Sequence, residues 1–166
     1  MKSWLKWVIG LCVVGGIFQG IYQGCKSCER DDKEESENYP TMYKKACASK
    51  DFEKAYDIVD KMKKETSQAK VKMEVDSELH PYCYPKSKAE YEESEKRSTE
   101  AERYVVLQEA ITVLENEGTN GLMRIVGIAK EHDAESWLYD ELKDIARKIG
   151  DTALENELEQ IVSRVY

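Results

Sequence analysis

Proline and histidine are scarce in this chain, 3 and 2 in 166 residues, and glycine numbers only 9. So little turn chemistry, with 35% of residues charged, suits solvated helices better than a sheet sandwich. The two histidines, His80 and His132, leave little material for general acid–base catalysis, which recruits imidazoles or carboxylates of shifted pKa. His132 follows Glu131 in "KEHDAE", a helix end, but the pair does not form HExxH, since position 135 is Glu and position 136 is Ser. No Gly-rich phosphate loop, GxSxG elbow or Walker sequence is present. The expectation is a protein without catalytic activity and without a cofactor.

Basic charge is also in short supply. The net charge is −8. Residues 1–28 hold Lys2, Lys6 and Lys26 and no acid, contributing +3, so the remainder carries −11. A part that acidic repels phosphate backbones, which argues against nucleic acid as a partner. Basic peptides or proteins fit it better, and acidity also keeps a surface soluble.

Only one long apolar run exists. From Trp4 to Tyr22 there are 19 residues, of which Lys6 and Gln19 alone are strongly polar. A helix of that length just crosses a hydrocarbon core of about 30 Å. Trp4 and Trp7 at one end and Tyr22 at the other suit the headgroup level. The shorter run Val8–Phe18, behind a basic start, also has the length of an export signal. Either reading makes the membrane a partner of residues 1–24. Gly16, Gly20 and Gly24 recur every fourth residue, a row of small side chains that lets membrane helices approach and self-associate. After Tyr22 comes "QGCKSC". The N-terminus resembles a lipoprotein signal here, with Gly24 before Cys25; that resemblance implies lipid attachment at Cys25. Lysines or arginines flank both ends of the run, so sidedness rests on the signal-like start, which favours a helical domain outside the cytoplasm.

The five cysteines are Cys12, Cys25, Cys28, Cys47 and Cys83. "CKSC" and "HPYC" together offer Cys25, Cys28, His80 and Cys83, the ligand types of a tetrahedral zinc site. They support an alternative reading, a membrane-proximal thiol or metal-binding protein. In an exported domain Cys47 and Cys83 are candidates for a disulfide. Cys47 lies on an apolar helix face and reads most simply as a small buried hydrophobe.

Residues 25–39 are almost devoid of apolar side chains and read as a charged flexible stalk. Residues 40–166 form one domain-sized piece of roughly 125 residues. Pro40 suits the first turn of a helix. Tyr43, Ala46 and Cys47, then Phe52, Ala55, Tyr56, Val59 and Met62, follow helical spacing around the turn "SKD". Residues 64–100 are the least defined: "VKMEV" alternates, "HPYCYP" is a loop, "SKAE" at Ser87–Glu90 has the form of a capping box, and the stretch is polar enough to be a weakly ordered excursion. A helix there would turn Tyr91, Ser94, Ser98 and Ala101 inward. Beyond Arg103, stripes at Tyr104, Leu107, Ile111 and Leu114, at Leu122, Ile125, Val126 and Ala129, at Trp137 to Ile149 and at Leu154 to Val165 are punctuated by Gly118, Asp133, Gly150 and Asp151.

"ACASKDFEKAYDIVDKM" resembles the turn and second helix of a tetratricopeptide repeat, with Ala46, Lys50-Asp51-Phe52 and Ala55 at the matching places. The resemblance covers about one repeat, residues 40–66, and implies a helical hairpin of the kind that stacks to hold partner peptides. The chain as a whole is expected to be all-α, a membrane-anchoring helix and stalk followed by an antiparallel bundle or short stack of about six helices. The expected function is a membrane-tethered protein-interaction or scaffold module. Tyr39, Tyr43, Tyr82, Tyr84, Tyr91 and Trp137 are the candidate lining of a groove.

Overall fold

The computed structural model describes residues 38–165. The anchor and stalk segments, with Gly16, Gly20, Gly24, Cys25 and Cys28, lie outside the described residues; of the stretch read as stalk only Asn38 and Tyr39 are described, and they are helical. The chain divides into two units, Met1–Tyr39 and Pro40–Tyr166. The structure is all-helical, with no strand among the described residues. Among the same residues no helix is long and apolar enough to cross a membrane.

Helix α1 covers residues 38–48. It stops where Lys50 enters the left-handed region, at φ 60°, so that Asp51 N–H can reach back to the Ala46 carbonyl at 3.0 Å. The Ser49 hydroxyl also lies 2.9 Å from that oxygen. Asp51 then caps the next helix by accepting from Lys54 N–H at 3.2 Å. The turn falls at "SKD", as the spacing predicts.

Helix α2 runs Phe52–Leu79 and α3 runs Tyr84–Glu117. They form one long antiparallel hairpin, closed by the turn His80–Cys83. "VKMEV" is therefore helix. Ser87 is not an N-cap: α3 begins three residues earlier with Pro85 in its first turn and Cys83 at the cap position. The Ser87 hydroxyl is spent inside the helix, 3.1 Å from the Tyr84 carbonyl, because a proline already starts the helix at no hydrogen-bond cost.

A 3-10 turn, Gly118–Gly121, leads into α4 (Leu122–Glu131), α5 (Glu135–Ile149) and α6 (Thr152–Val165). The break at Gly118 uses φ 57°. Gly150 takes φ 77° and donates to the Ala146 and Arg147 carbonyls, a left-handed ending that glycine adopts without steric cost. Asp151 caps α6 through Leu154 N–H at 3.0 Å. Asp133 does not cap α5. It sits at φ 49° and Ala134 is the N-cap, because the corner closes through Ala134 N–H on the Ala129 carbonyl at 2.7 Å.

The core of the body joins Val106, Ala110 and Val113 of α3 to Leu122, Ile125 and Ile128 of α4, Leu138, Tyr139 and Leu142 of α5 and Leu154 and Leu158 of α6. Its α3 stripe is offset from the one predicted. Tyr104, Leu107, Ile111 and Leu114 are half-buried, and Ala101, Val105, Val106, Ala110 and Val113 are buried. The reason is that α3 is packed on two sides, by α2 on one and by α4 and α5 on the other.

Candidate binding cleft

The cleft is built from three pieces of helix. On α2, Glu53, Tyr56, Asp57, Asp60 and Lys63 recur every three or four residues and share one edge. On α3, Glu102 and Glu109 stand two turns apart and point the same way. The third piece is the α4–α5 corner, where His132 caps α4 through its N–H on the Ile128 carbonyl. The left-handed Asp133 swings the chain away immediately after it. These residues, with Phe52 and Glu131, line a cleft of ≈ 390 Å³.

Its centre is an aromatic pair. The Tyr56 and His132 rings stack with centroids 4.4 Å apart and an interplanar angle of 7°. The Tyr56 hydroxyl donates to Glu109 Oε2 at 2.8 Å. His132 Nδ1 lies 3.7 Å from Glu102 Oε1, which also accepts from Lys63 Nζ at 2.6 Å. Burial, and then the bond to Glu109, raise the Tyr56 pKa well above the ordinary phenol value. Tyr56 is thus a fixed donor and stays a neutral phenol. Around the pair stand six carboxylates, Glu53, Asp57, Asp60, Glu102, Glu109 and Glu131, with Lys63 the single basic side chain besides the imidazole. Glu102 absorbs that lysine. The arrangement suits a cationic group laid against an aromatic wall, where ring quadrupole and carboxylates act together.

A second cleft of ≈ 370 Å³ between α3, α5 and α6 is mostly apolar, lined by Ile111, Leu114, Ile145, Ile149 and Leu154 with Glu115 and Asp151 at its rim.

The aromatic groove read from sequence is not assembled. Tyr43 is buried beside Tyr104, with ring centroids 5.6 Å apart. Trp137 is half-buried under the Arg103 guanidinium at 5.1 Å. Tyr84 and Tyr91 are half-buried on the α2–α3 hairpin, and Tyr82 is exposed at its tip. Tyr39 precedes the division of the chain. None of the six lines either cleft.

His80 and Cys83 occupy the same turn, where Cys83 N–H bonds the His80 carbonyl at 2.8 Å. Their prospective partners Cys25 and Cys28 lie outside the described residues, and among the described residues no three metal-ligating side chains converge. Cys47 and Cys83 are both free thiols. Cys47 is buried in the body and Cys83 is exposed at the hairpin tip, so the disulfide considered for them is not formed. Burial pushes the Cys47 thiol up to about 11. Since thiolate is the reactive form, alkylation at neutral pH is expected to label Cys83 at least about 100-fold faster than Cys47 in the native chain. Peptide mass mapping separates these two from the other cysteines, and equal rates would contradict the buried assignment.

Sequence reading reached His132 as a helix end and Tyr56 as part of an apolar face, and missed Glu102, Glu109 and Lys63 altogether. The available signal was the acidic edge Glu53-Asp57-Asp60 running beside an aromatic residue. Comparison with family models, with curated proteins and with solved structures gives no match.

Proposed function

We propose that this chain is a membrane-tethered helical protein-interaction module without catalytic activity, and that its acidic cleft receives a basic segment of a protein partner. The observation that carries the reading is the cleft's charge: six carboxylates against one lysine around the Tyr56–His132 pair. Like charges gathered on one concave surface repel one another, and a lysine or arginine side chain relieves that repulsion while gaining charge-assisted hydrogen bonds. The net charge of −11 beyond residue 28 attracts the same partners at longer range. The apolar run Trp4–Tyr22 supports the tether, and the hairpin that resembles one tetratricopeptide repeat supports a peptide-holding role.

The test is fluorescence anisotropy with a labelled lysine- and arginine-rich peptide of about ten residues. Saturable binding is expected at low salt, with affinity falling steeply toward 0.5 M salt as screening shortens to a few ångströms (about 3 Å at 1 M). The double change Asp57→Asn and Glu131→Gln should weaken it about tenfold, the effect of losing roughly 1.4 kcal/mol of charge pairing. Equal affinity for wild type and variant would remove the cleft from the reading. Deleting residues 1–24 should leave peptide binding intact and move the chain out of the membrane pellet.

A further inference from the structure

The α2–α3 hairpin is built from two unlike halves. Near the body, α2 buries Ala55, Ile58, Val59 and Met62, and α3 buries Ala101, Val105 and Val106. From residue 67 to residue 97 only two side chains are buried, Asp76 and Ser87, and neither is apolar. Met73, Tyr84 and Tyr91 are only half-buried, and four further large apolar side chains of this stretch stand on the solvent side: Val71 is 59% exposed, Val75 44%, Leu79 67% and Tyr82 99%. The helix pair in this part thus leaves much of its apolar surface outside and buries no apolar side chain fully.

Hydrophobic burial is the dominant favourable contribution to folding, so the distal half lacks what holds the proximal half. Other attractions do not replace it. Lys72 and Glu90 meet across the pair at 2.7 Å, but their side chains are 57% and 41% exposed, and pairs of that kind contribute about 0–1 kcal/mol. Each distal helical piece is near the ~12–15 residues below which an isolated helix is marginal in water. α2 packs chiefly on α3, and its stacking of Tyr56 on His132 lies in the proximal half.

The junction between the halves is marked by hydroxyls. Thr66 Oγ1 lies 3.0 Å from the Met62 carbonyl oxygen, 2.8 Å from Ser94 Oγ and 3.3 Å from Ser98 Oγ. The Ser67 hydroxyl donates to the Lys63 carbonyl at 3.0 Å, and that of Ser98 to the Glu95 carbonyl, also at 3.0 Å. Such back-bonding hydroxyls weaken and bend helices where they cluster.

We infer that residues 67–97 form an arm that opens as a unit of its own, hinged at Thr66 and Ser98, while the body stays folded. The closed end of the hairpin lies at the arm's tip, so the arm unzips from His80–Cys83 inward without disturbing the contacts of α4, α5 and α6. This is a conformational device in the fold, and it does not depend on what the cleft binds.

Native-state hydrogen exchange on the full-length chain, read by mass spectrometry of peptides, tests it. Amides of residues 70–79 and 88–97 are expected to exchange at least about 100-fold faster than those of residues 103–113, reflecting a separate low-energy opening. Exchange of both sets through a single common opening overturns the inference. The triple change Thr66→Val, Ser94→Ala and Ser98→Ala replaces the whole hydroxyl group by apolar side chains of like size, which is neutral or stabilising when all partners go together. It should slow arm exchange about tenfold and leave the body unchanged. Unchanged arm exchange in that variant overturns the hinge.

Discussion

Leu138→Ala is expected to destabilise the body by about 2–5 kcal/mol, a large share of the 5–15 kcal/mol that typically separates folded from unfolded domains. Leu138 lies in the first turn of α5, fully buried in the cluster that joins α3, α4, α5 and α6. Its neighbours Tyr139, Leu142 and Ala146 share α5, a rigid helix, so they cannot collapse far into the space left by the lost side chain. The cost is therefore the transfer of the removed carbons plus a cavity contribution of about 24 cal/mol per Å³. Urea unfolding followed by near-ultraviolet circular dichroism measures it, with the midpoint falling and the slope unchanged. Val75→Ala on the arm is the matched control, at about ±0.5 kcal/mol for an exposed position. A loss below 1 kcal/mol for Leu138→Ala would mean that the body is not packed around α5.

Gly121 and Gly127 are expected to respond to alanine with opposite sign. A Cβ on Gly121 would stand 2.5 Å from Val113 Cγ1, 3.1 Å from Glu117 Cβ and 3.3 Å from the Val113 carbonyl oxygen. Val113 is itself buried and held by α3, so the clash cannot be relieved by a swinging side chain alone. Gly121→Ala should cost about 1–3 kcal/mol, the usual penalty of overpacking. Gly127 lies inside α4 and a Cβ there meets nothing within 4 Å. Alanine at that position restores helix propensity and should stabilise by about 0.5–1 kcal/mol. Thermal unfolding of the two variants side by side reads the difference. Val113→Ala removes core packing of its own, so the check is a double-mutant cycle. Gly121→Ala should cost less in the Val113→Ala background than in the wild type, and an equal cost in both would show that the strain lies elsewhere.

Helix periods and stop signals carried most of the fold. Gly118, Gly150 and Asp151 fall where the spacing places them, because a left-handed ending or a cap depends on one residue and its immediate neighbours. Ser87 misled for a related reason. A capping box is a four-residue pattern, and Pro85 nearby is the stronger start signal. The α3 stripe was misplaced because its apolar residues cover a wide arc, and only the pairing of helices decides which part of the arc is innermost. The cleft was the least legible part. Tyr56 and Glu109 sit on different helices and His132 at the end of a third, and periodicity within one helix says nothing about which side chains meet across the bundle. Tyr56 also looked like core, since its ring does pack inward and only its hydroxyl marks it as part of a polar network.

The arm and the body share α3 without a break, Tyr84–Glu117. Beyond the hinge at Ser98, the helical stretch from Ser98 to Tyr84 is a lever of roughly 20 Å at 1.5 Å per residue. A tilt of about 10° at its base sweeps the tip through about 4 Å, close to the width of a methyl group. A small bend at Ser98 is thereby magnified at Tyr82, while Val106 and Val113, on the body side of the hinge, keep their packing.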